Sequence, residues 1–239
     1  MKIVAINGSH RGRNGNTAIM VNAFLAGAKE GGAETVDIVL AEKEIRFCTG
    51  CKACWFKTPG CCVLEDDMQE ILALSQGADV RVLATPLYFD TFSSLLKVFI
   101  DRLIVTASPF WSKDKEGECR HQTKEKVPKL MVISNCGYPE RTHFQVLSHW
   151  LKRHARNLNT EILGEIYASQ GALLSLESEE VRPAISSFLR AVETAGKEVA
   201  SSMRLTEKTE KLLEQPFITN EVYIQEVRRY VTGLLEKQI

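Results

Sequence analysis

Short, apolar-rich runs alternate with longer amphipathic ones over the first two thirds of this chain, and that alternation leaves few folds open. Lys2–Asn7, Glu34–Leu40, Asp79–Thr85, Lys129–Asn135 and Thr160–Tyr167 read as strands. Helical patterns fill most of the gaps, over 16–30, 66–76, 91–103 and 141–156. Parallel neighbours need a crossover of helical length, so the pattern predicts a parallel sheet with helices on both faces. The first helix puts Ile19, Met20, Ala23, Phe24 and Ala28 on one side and stops at Gly31-Gly32. Asp66 or Asp67 is placed to cap the second. Asp79–Thr85 is nearly all apolar and so should be central, with Pro86 ending it because proline cannot donate to the ladder. Five strands so connected match the doubly wound order 2-1-3-4-5. Right-handed crossovers then bring the turns after Asn7, Thr85 and Asn135 to one edge of the sheet, where ligands bind.

The remaining segments bound the organisation. A length of 239 residues suits one α/β domain with additions, here 1–170 followed by helices over 171–239 that pack on the domain or on a partner subunit. Val181, Ile185, Phe188, Leu189 and Val192 form one helical stripe, and Val227, Tyr230, Val231, Leu234 and Leu235 another. For the second stripe, packing on its own domain is narrowly preferred to a dimer contact. Thr106–Val127 lacks periodicity and reads as a surface loop. Lys plus Arg and Asp plus Glu number 30 each, which gives no reason to expect nucleic acid or an anionic membrane as partner. Met1–Ile6 is too short for a secretory apolar region, and no run approaches a membrane span, so a soluble, cytoplasmic protein is expected.

The first turn, Asn7-Gly8-Ser9-His10-Arg11-Gly12-Arg13-Asn14-Gly15-Asn16-Thr17, leads straight into a helix. Its glycines allow tight bends, its hydroxyls and the helix amides can donate hydrogen bonds, and the helix terminus carries partial positive charge. A monoester phosphate would be well held there by Ser9, Asn16 and Thr17, with a bidentate arginine. A capped glycine-rich turn without a ligand would look similar. The loop lacks the Gly-Lys-Ser/Thr ending of a P-loop and the Gly-x-Gly-x-x-Gly of a dinucleotide turn.

Gly-Ser-x-Arg followed by Gly-Asn-Thr resembles the NAD(P)H-dependent FMN reductase and iron–sulfur flavoprotein families. So do Thr85-Pro86-Leu87-Tyr88-Phe89, Leu96-Lys97, Ile100-Asp101-Arg102 and the cysteine segment ending at Asp66-Asp67-Met68. The resemblance covers residues 1 to about 170 and implies a flavodoxin-like fold with FMN as cofactor. It implies that the first turn binds the FMN phosphate, while Pro86, Leu87, Tyr88 and Phe89, with Asn135 and Gly137, contact the ring. Three residues separate Arg11 from Gly15 where many relatives have two, so either Arg11 or Arg13 faces the phosphate. The flavin carries the chemistry in such proteins, and no side chain is nominated as catalytic.

Five of the seven cysteines fall between 48 and 62. Cys48, Cys51, Cys54 and Cys61 have the compact spacing that ligates iron–sulfur clusters, with Cys62 as a spare. Iron–sulfur flavoproteins carry such a motif for a [4Fe–4S] cluster. Free thiols, a zinc site and a dithiol/disulfide pair are the competing readings. Cys136 is better placed than Cys119 to lie beside a flavin, and otherwise is a small buried residue.

The expected function is an FMN-dependent NAD(P)H oxidoreductase passing electrons to a flavin, quinone or metal acceptor. Rival readings are a ferredoxin-linked single-electron carrier and a redox sensor. The resemblance further implies a homodimer or homotetramer, in which a second subunit covers the flavin edge.

Overall fold

The computed structural model describes residues 1–123 and 126–236. Five strands form one parallel sheet: β1 (Lys2–Asn7), β2 (Glu34–Val39), β3 (Val80–Pro86), and two later ones, Lys129–Asn135 and Ile162–Ala168. Between β3 and those two lie β4 (Ala107–Lys113) and β5 (Cys119–Thr123), so the last two strands are β6 and β7. The sheet order is β2-β1-β3-β6-β7, the doubly wound, flavodoxin-like order read from the sequence. β3 is buried throughout apart from Pro86, as its apolar run requires. Its ladder runs further than expected: Pro86 pairs with Asn135, and the Leu87 amide donates to Asn135 O at 2.8 Å.

Helices α1 (Asn16–Glu30), α2 (Ala53–Phe56), α3 (Met68–Ser75), α4 (Ser94–Arg102), α5 (Gln145–Leu158), α6 (Arg182–Ser202), α7 (Glu207–Leu213) and α8 (Asn220–Glu236) complete the chain. Two apolar cores lie on opposite faces of the sheet. One holds Met20, Phe24, Val82, Ile133, Phe188 and Val192; the other holds Leu83, Leu96, Phe99, Phe144 and Leu147. Helix α4 starts later than its sequence pattern because Ser93 caps it, accepting from the Leu96 amide at 3.2 Å, while Thr91 is held in a turn with Tyr88.

Helices α1 and α6 meet without room for a side chain at two positions. A Cβ on Gly27 would stand 1.7 Å from Glu193 O, and one on Gly196 would stand 1.9 Å from Phe24 O. Both clashes are with backbone, so neither relaxes by a rotamer change. Gly196→Ala is therefore expected to destabilise the protein by roughly 1–3 kcal/mol through forced helix separation. Urea denaturation checks this, and an unchanged midpoint would show that the helices are not in this register.

Two sequence expectations are corrected here. The loop expected over 106–127 contains an antiparallel hairpin, with Trp111 opposite His121 and Lys113 opposite Cys119. Its turn is organised by Asp114, whose carboxylate accepts from the Glu116 and Glu118 amides at 3.1 and 2.9 Å, and Gly117 takes φ +81°. Helix α5 holds the hairpin through Arg156–Asp114 at 2.6 Å and Arg153–Glu118 at 3.0 Å. Lys124 and Glu125, part of that expected loop, lie outside the described residues.

The second correction concerns α8. Val227, Tyr230, Val231, Leu234 and Leu235 do not pack on their own domain; Tyr230 is 68% exposed and all five face outward. Only Tyr223, in the first turns, is buried. The start of the helix is fixed by Gln170, which accepts from the Phe217 and Ile218 amides at 3.1 and 3.2 Å. By contrast, the α6 stripe (Val181, Ile185, Phe188, Val192) lies in the core as its spacing predicts, with Leu189 packed against it. No described helix is long and apolar enough to cross a membrane. Residues 237–239, the end of the expected helical tail, lie outside the described residues.

Candidate functional site

The three turns that follow β1, β3 and β6 meet and are stitched together by hydrogen bonds. In the first, Asn7 Oδ1 accepts from the Ser9 amide at 3.0 Å, which folds Ser9 inward. Gly12 takes φ +54°, a conformation costly for a residue with a Cβ. Gly15 is required for space: a Cβ there would stand 2.6 Å from Ser9 Oγ. The hydroxyl of Ser93 donates to Gly8 O at 2.6 Å, joining the first turn to the second. Asn135 Nδ2 donates to Thr17 Oγ1 at 2.8 Å, joining the first turn to the third. Asn16 Nδ2 donates to Gly171 O at 2.7 Å, yet its Oδ1 is buried with no partner.

The two candidate arginines separate clearly. Arg13 is committed away from the turn, its Nε 2.8 Å from Glu42 and its Nη1 3.4 Å from Asp37. Burial pushes the Asp37 carboxyl up, against the pull of Arg13. Arg11 makes no side-chain hydrogen bond among the described residues and is exposed beside Ser9, whose Oγ accepts from its amide at 3.3 Å.

In the second turn Tyr88 and Thr91 exchange backbone hydrogen bonds at 2.9 and 3.0 Å around Phe89 (φ +48°) and Asp90 (φ +60°). Positive φ at both central positions is the type I′ geometry, which asparagine and glycine adopt readily and phenylalanine does not. The turn throws Phe89 wholly into solvent, leaves Tyr88 half-exposed and keeps Leu87 buried. A strained residue with an exposed aromatic side chain is a feature of ligand rims rather than of stabilising turns.

The third turn contributes Asn135, which is buried, and Gly137, which faces open space: a Cβ there would meet no atom within 4 Å. Tyr138 stacks on His143 with centroids 3.9 Å apart, and His143 Nδ1 lies 2.9 Å from Asp90 Oδ1. The Tyr138–His143–Asp90 chain thus ties the second turn to the third. Sequence reasoning missed His143 and Asp90, which stand 53 residues apart with no motif joining them. Cys136 is buried, and that burial pushes its thiol up to about 11, so it is not a ready thiolate.

A second constellation lies at the far end of α4. Cys48, Cys51, Cys54 and Cys62 line one cavity of about 370 Å³, together with Arg102. Cys61 does not line it. Its amide donates to Thr58 O and its carbonyl accepts from Thr58 Oγ1, both at 2.8 Å, and the tight turn leaves its side chain exposed. Burial pushes the Cys54 thiol up, and the nearby Cys62, Cys48 and Cys51 add to the shift. Amide donation from Ala53 and the Thr49 hydroxyl hold the Cys51 thiol down. Among the described residues no three His, Cys, Asp or Glu side chains stand close enough to hold a single metal ion.

The segment's two ends are closed by a buried ion pair. Arg102 donates to both Asp66 oxygens at 2.5 and 3.1 Å, and both side chains are 1% exposed. Arg102 also donates to Arg46 O at 2.8 Å, and the Arg46 amide donates to Asp66 at 2.9 Å. Asp66 accepts from the Met68 amide as well, so the expected cap of α3 is engaged mainly with Arg102. The Arg102 guanidinium stands beside the Cys62 thiol.

A doubly wound sheet of this order, with three carboxyl-edge turns meeting at a glycine-rich first turn, defines a flavodoxin-like fold. The sequence profile of the NADPH-dependent FMN reductase family matches residues 1–127, and the chain belongs to that family. An iron–sulfur flavoprotein of Methanocaldococcus jannaschii is 39% identical over 117 residues, 49% of this chain and 59% of the relative. One of Methanosarcina thermophila is 35% identical over 118 residues, 49% of this chain and 60% of the relative. The matched stretch therefore spans less than two thirds of either relative. Among solved structures, an FMN-dependent NADH-azoreductase of Bacillus anthracis in complex with FMN superposes with a TM-score of 0.60 at 20% identity, covering 83% of this chain and 99% of that one. An NAD(P)H:quinone oxidoreductase of Methanothermobacter marburgensis gives 0.60 at 13% identity, covering 87% and 98%. These structures share the fold.

Proposed function

We propose that this protein is an FMN-dependent NAD(P)H oxidoreductase that passes electrons to a flavin, quinone or similar small acceptor in the cytoplasm. The observation that carries the reading is the convergence of the three turns around groups left unsatisfied, Arg11 and the buried Asn16 Oδ1. Ser9, Thr17 and the first amides of α1 hold the phosphate, and Arg11 adds a charge-assisted contact. Asn16 Oδ1 accepts from a ribityl hydroxyl. Pro86, Leu87, Tyr88 and Phe89 line one side of the ring, and Asn135 and Gly137 the other. When bound, the isoalloxazine supplies hydride acceptance and onward electron transfer. Tyr138, stacked on His143, offers a flat apolar face beside the ring for a second aromatic molecule. The seven free cysteines fit a reducing compartment. A homo-oligomer would cover the exposed rim.

Anaerobic addition of NADPH to FMN-loaded protein is expected to bleach the flavin absorbance within the mixing time of a stopped-flow instrument or soon after. Slow reduction by both NADPH and NADH would sink the oxidoreductase reading. The arginine assignment has its own test. Arg11→Ala should weaken FMN by roughly 10–150-fold, the range of a hydrogen bond to a charged group. Arg13→Ala should change it little, and riboflavin, which has no phosphate, should not distinguish Arg11→Ala from the parent.

The cysteine cavity favours a further component. We propose that Cys48, Cys51, Cys54 and Cys62 ligate an iron–sulfur cluster, with Cys62 in the place that spacing gave to Cys61. The donor chemistry fits a cluster, because four thiols line one cavity of about 370 Å³. Helix α4 joins the two sites: Ser93 caps it at the flavin turns and Arg102 closes it at the cysteines, about 13 Å along its axis.

A further inference from the structure

Arg81 is a charge that neither site accounts for. It is the second residue of β3, 9% exposed, and its Nε is buried with no hydrogen-bond partner. Among the described residues nothing compensates it, and burial alone pushes its guanidinium down to about 10. It still carries its charge at neutral pH. A buried cation without a counter-charge is costly, by several kcal/mol on general grounds. Its neighbour His154 gives no relief. Burial, and then Arg81 itself, push that imidazole down to about 4, so it is neutral, and its Nε2 is also unpartnered.

A cavity of about 300 Å³ opens beside Arg81, between α3, the start of β3 and the base of the β4–β5 hairpin. Leu72, Leu103, Val105 and Leu158 make its apolar walls. Ser75 lines it too, and its hydroxyl is buried with no partner. Lys126, which also borders the cavity, is already paired with Asp79 at 3.4 Å. This is not the flavin site. Arg81 and Pro86 are five residues apart on one strand, about 16 Å, so the cavity lies at the opposite end of the sheet.

We propose that this cavity binds a small organic monocarboxylate, its carboxylate held by Arg81 and by the hydroxyl of Ser75, its hydrocarbon body against Leu72, Leu103, Val105 and Leu158. The planar guanidinium matches the two oxygens of a carboxylate in a bidentate fork. One positive charge, uncompensated among the described residues, calls for one negative charge. Leu72, Leu103, Val105 and Leu158 offer a hydrocarbon body contacts that inorganic phosphate cannot make.

The experiment is titration calorimetry of hexanoate into the full chain with FMN present, with hexanamide and inorganic phosphate as comparison ligands. Saturable hexanoate binding is expected, with hexanamide and phosphate each at least about tenfold weaker, the size of a lost charge-assisted contact. Arg81→Met keeps the apolar stem and removes the charge; it should weaken hexanoate at least about tenfold and leave FMN binding unchanged. Ala73→Trp, at an exposed position on the cavity rim, should block hexanoate with Arg81 intact. That variant and the acid–amide comparison stand even if Arg81→Met does not fold. Equal binding of acid and amide, binding unaffected by Ala73→Trp, phosphate binding as tightly as hexanoate, or no saturable hexanoate binding would overturn the proposal.

Discussion

Replacing Asp66 with alanine is expected to cost about 3–5 kcal/mol, the penalty for stranding one member of a buried ion pair. The pair is bidentate and 1% exposed on each side, so Arg102 could not recover water without opening the cysteine segment. Nε of Arg102 is already buried without a partner, and the substitution would leave the buried charge with only the Arg46 carbonyl as acceptor. Urea denaturation measures the loss. Removing both charges together, as Asp66→Asn with Arg102→Met, should cost less than either single change, because no uncompensated charge remains. A double variant as unstable as the sum of the singles would show that the two groups act independently.

The same pair predicts an acid limb. Burial pushes the Asp66 carboxyl up, but Arg102 and the amides of Arg46 and Met68 outweigh it and hold the group below the usual carboxylate range. A folded-state value below the unfolded one, about 3.9, contributes stability that is fully present above that value. It is lost as pH falls through the lower folded value. Below about pH 4 the parent should therefore lose its advantage over Asp66→Ala. The local consequence is separate: Asp66 and Arg102 clamp residues 46 and 66 together, so buried Cys54 should react faster with thiol reagents in the variant.

How much of this was legible beforehand follows from where each signal resides. β1, β3 and β6 are buried on both faces, so nearly every side chain in them had to be apolar, and the runs could be read directly. The three turns followed from strand order alone. The β4–β5 hairpin could not be read, because its strands lie over the domain edge with mixed exposure and are held by Arg153 and Arg156 of a helix some 35 residues on. Helix α8 shows the reverse case: a clear apolar stripe tells that a face seeks cover, not what covers it. Nor could spacing separate Arg11 from Arg13, since both can reach the first turn; the acids Asp37 and Glu42 on the β2 side engage Arg13 and, among the described residues, leave Arg11 without such a partner. Partners of that kind are tertiary and leave no local pattern.

The cysteine segment gives the sharpest test of direction against spacing. Cys61 and Cys62 are adjacent, and either completes a compact four-cysteine motif. The Thr58–Cys61 turn aims the first outward and leaves the second lining the cavity beside Arg102. Anaerobically prepared parent protein is expected to hold about four irons per chain, with matching acid-labile sulfide. Cys61→Ser should keep that content, because serine at an exposed turn position changes neither the cavity nor its other thiols. Cys62→Ser should lose most of the iron, since the cluster needs all four thiolates and a hydroxyl is a poor substitute for soft iron. The visible absorbance of the cluster should fall in step while the flavin bands remain, because the phosphate turn is built from other residues. Iron lost from Cys61→Ser and retained in Cys62→Ser would return the fourth ligand to Cys61 and require the 58–62 turn to refold around the cluster. A parent protein that holds flavin but no iron would reduce all five clustered cysteines to thiol chemistry and leave the flavin site to work alone.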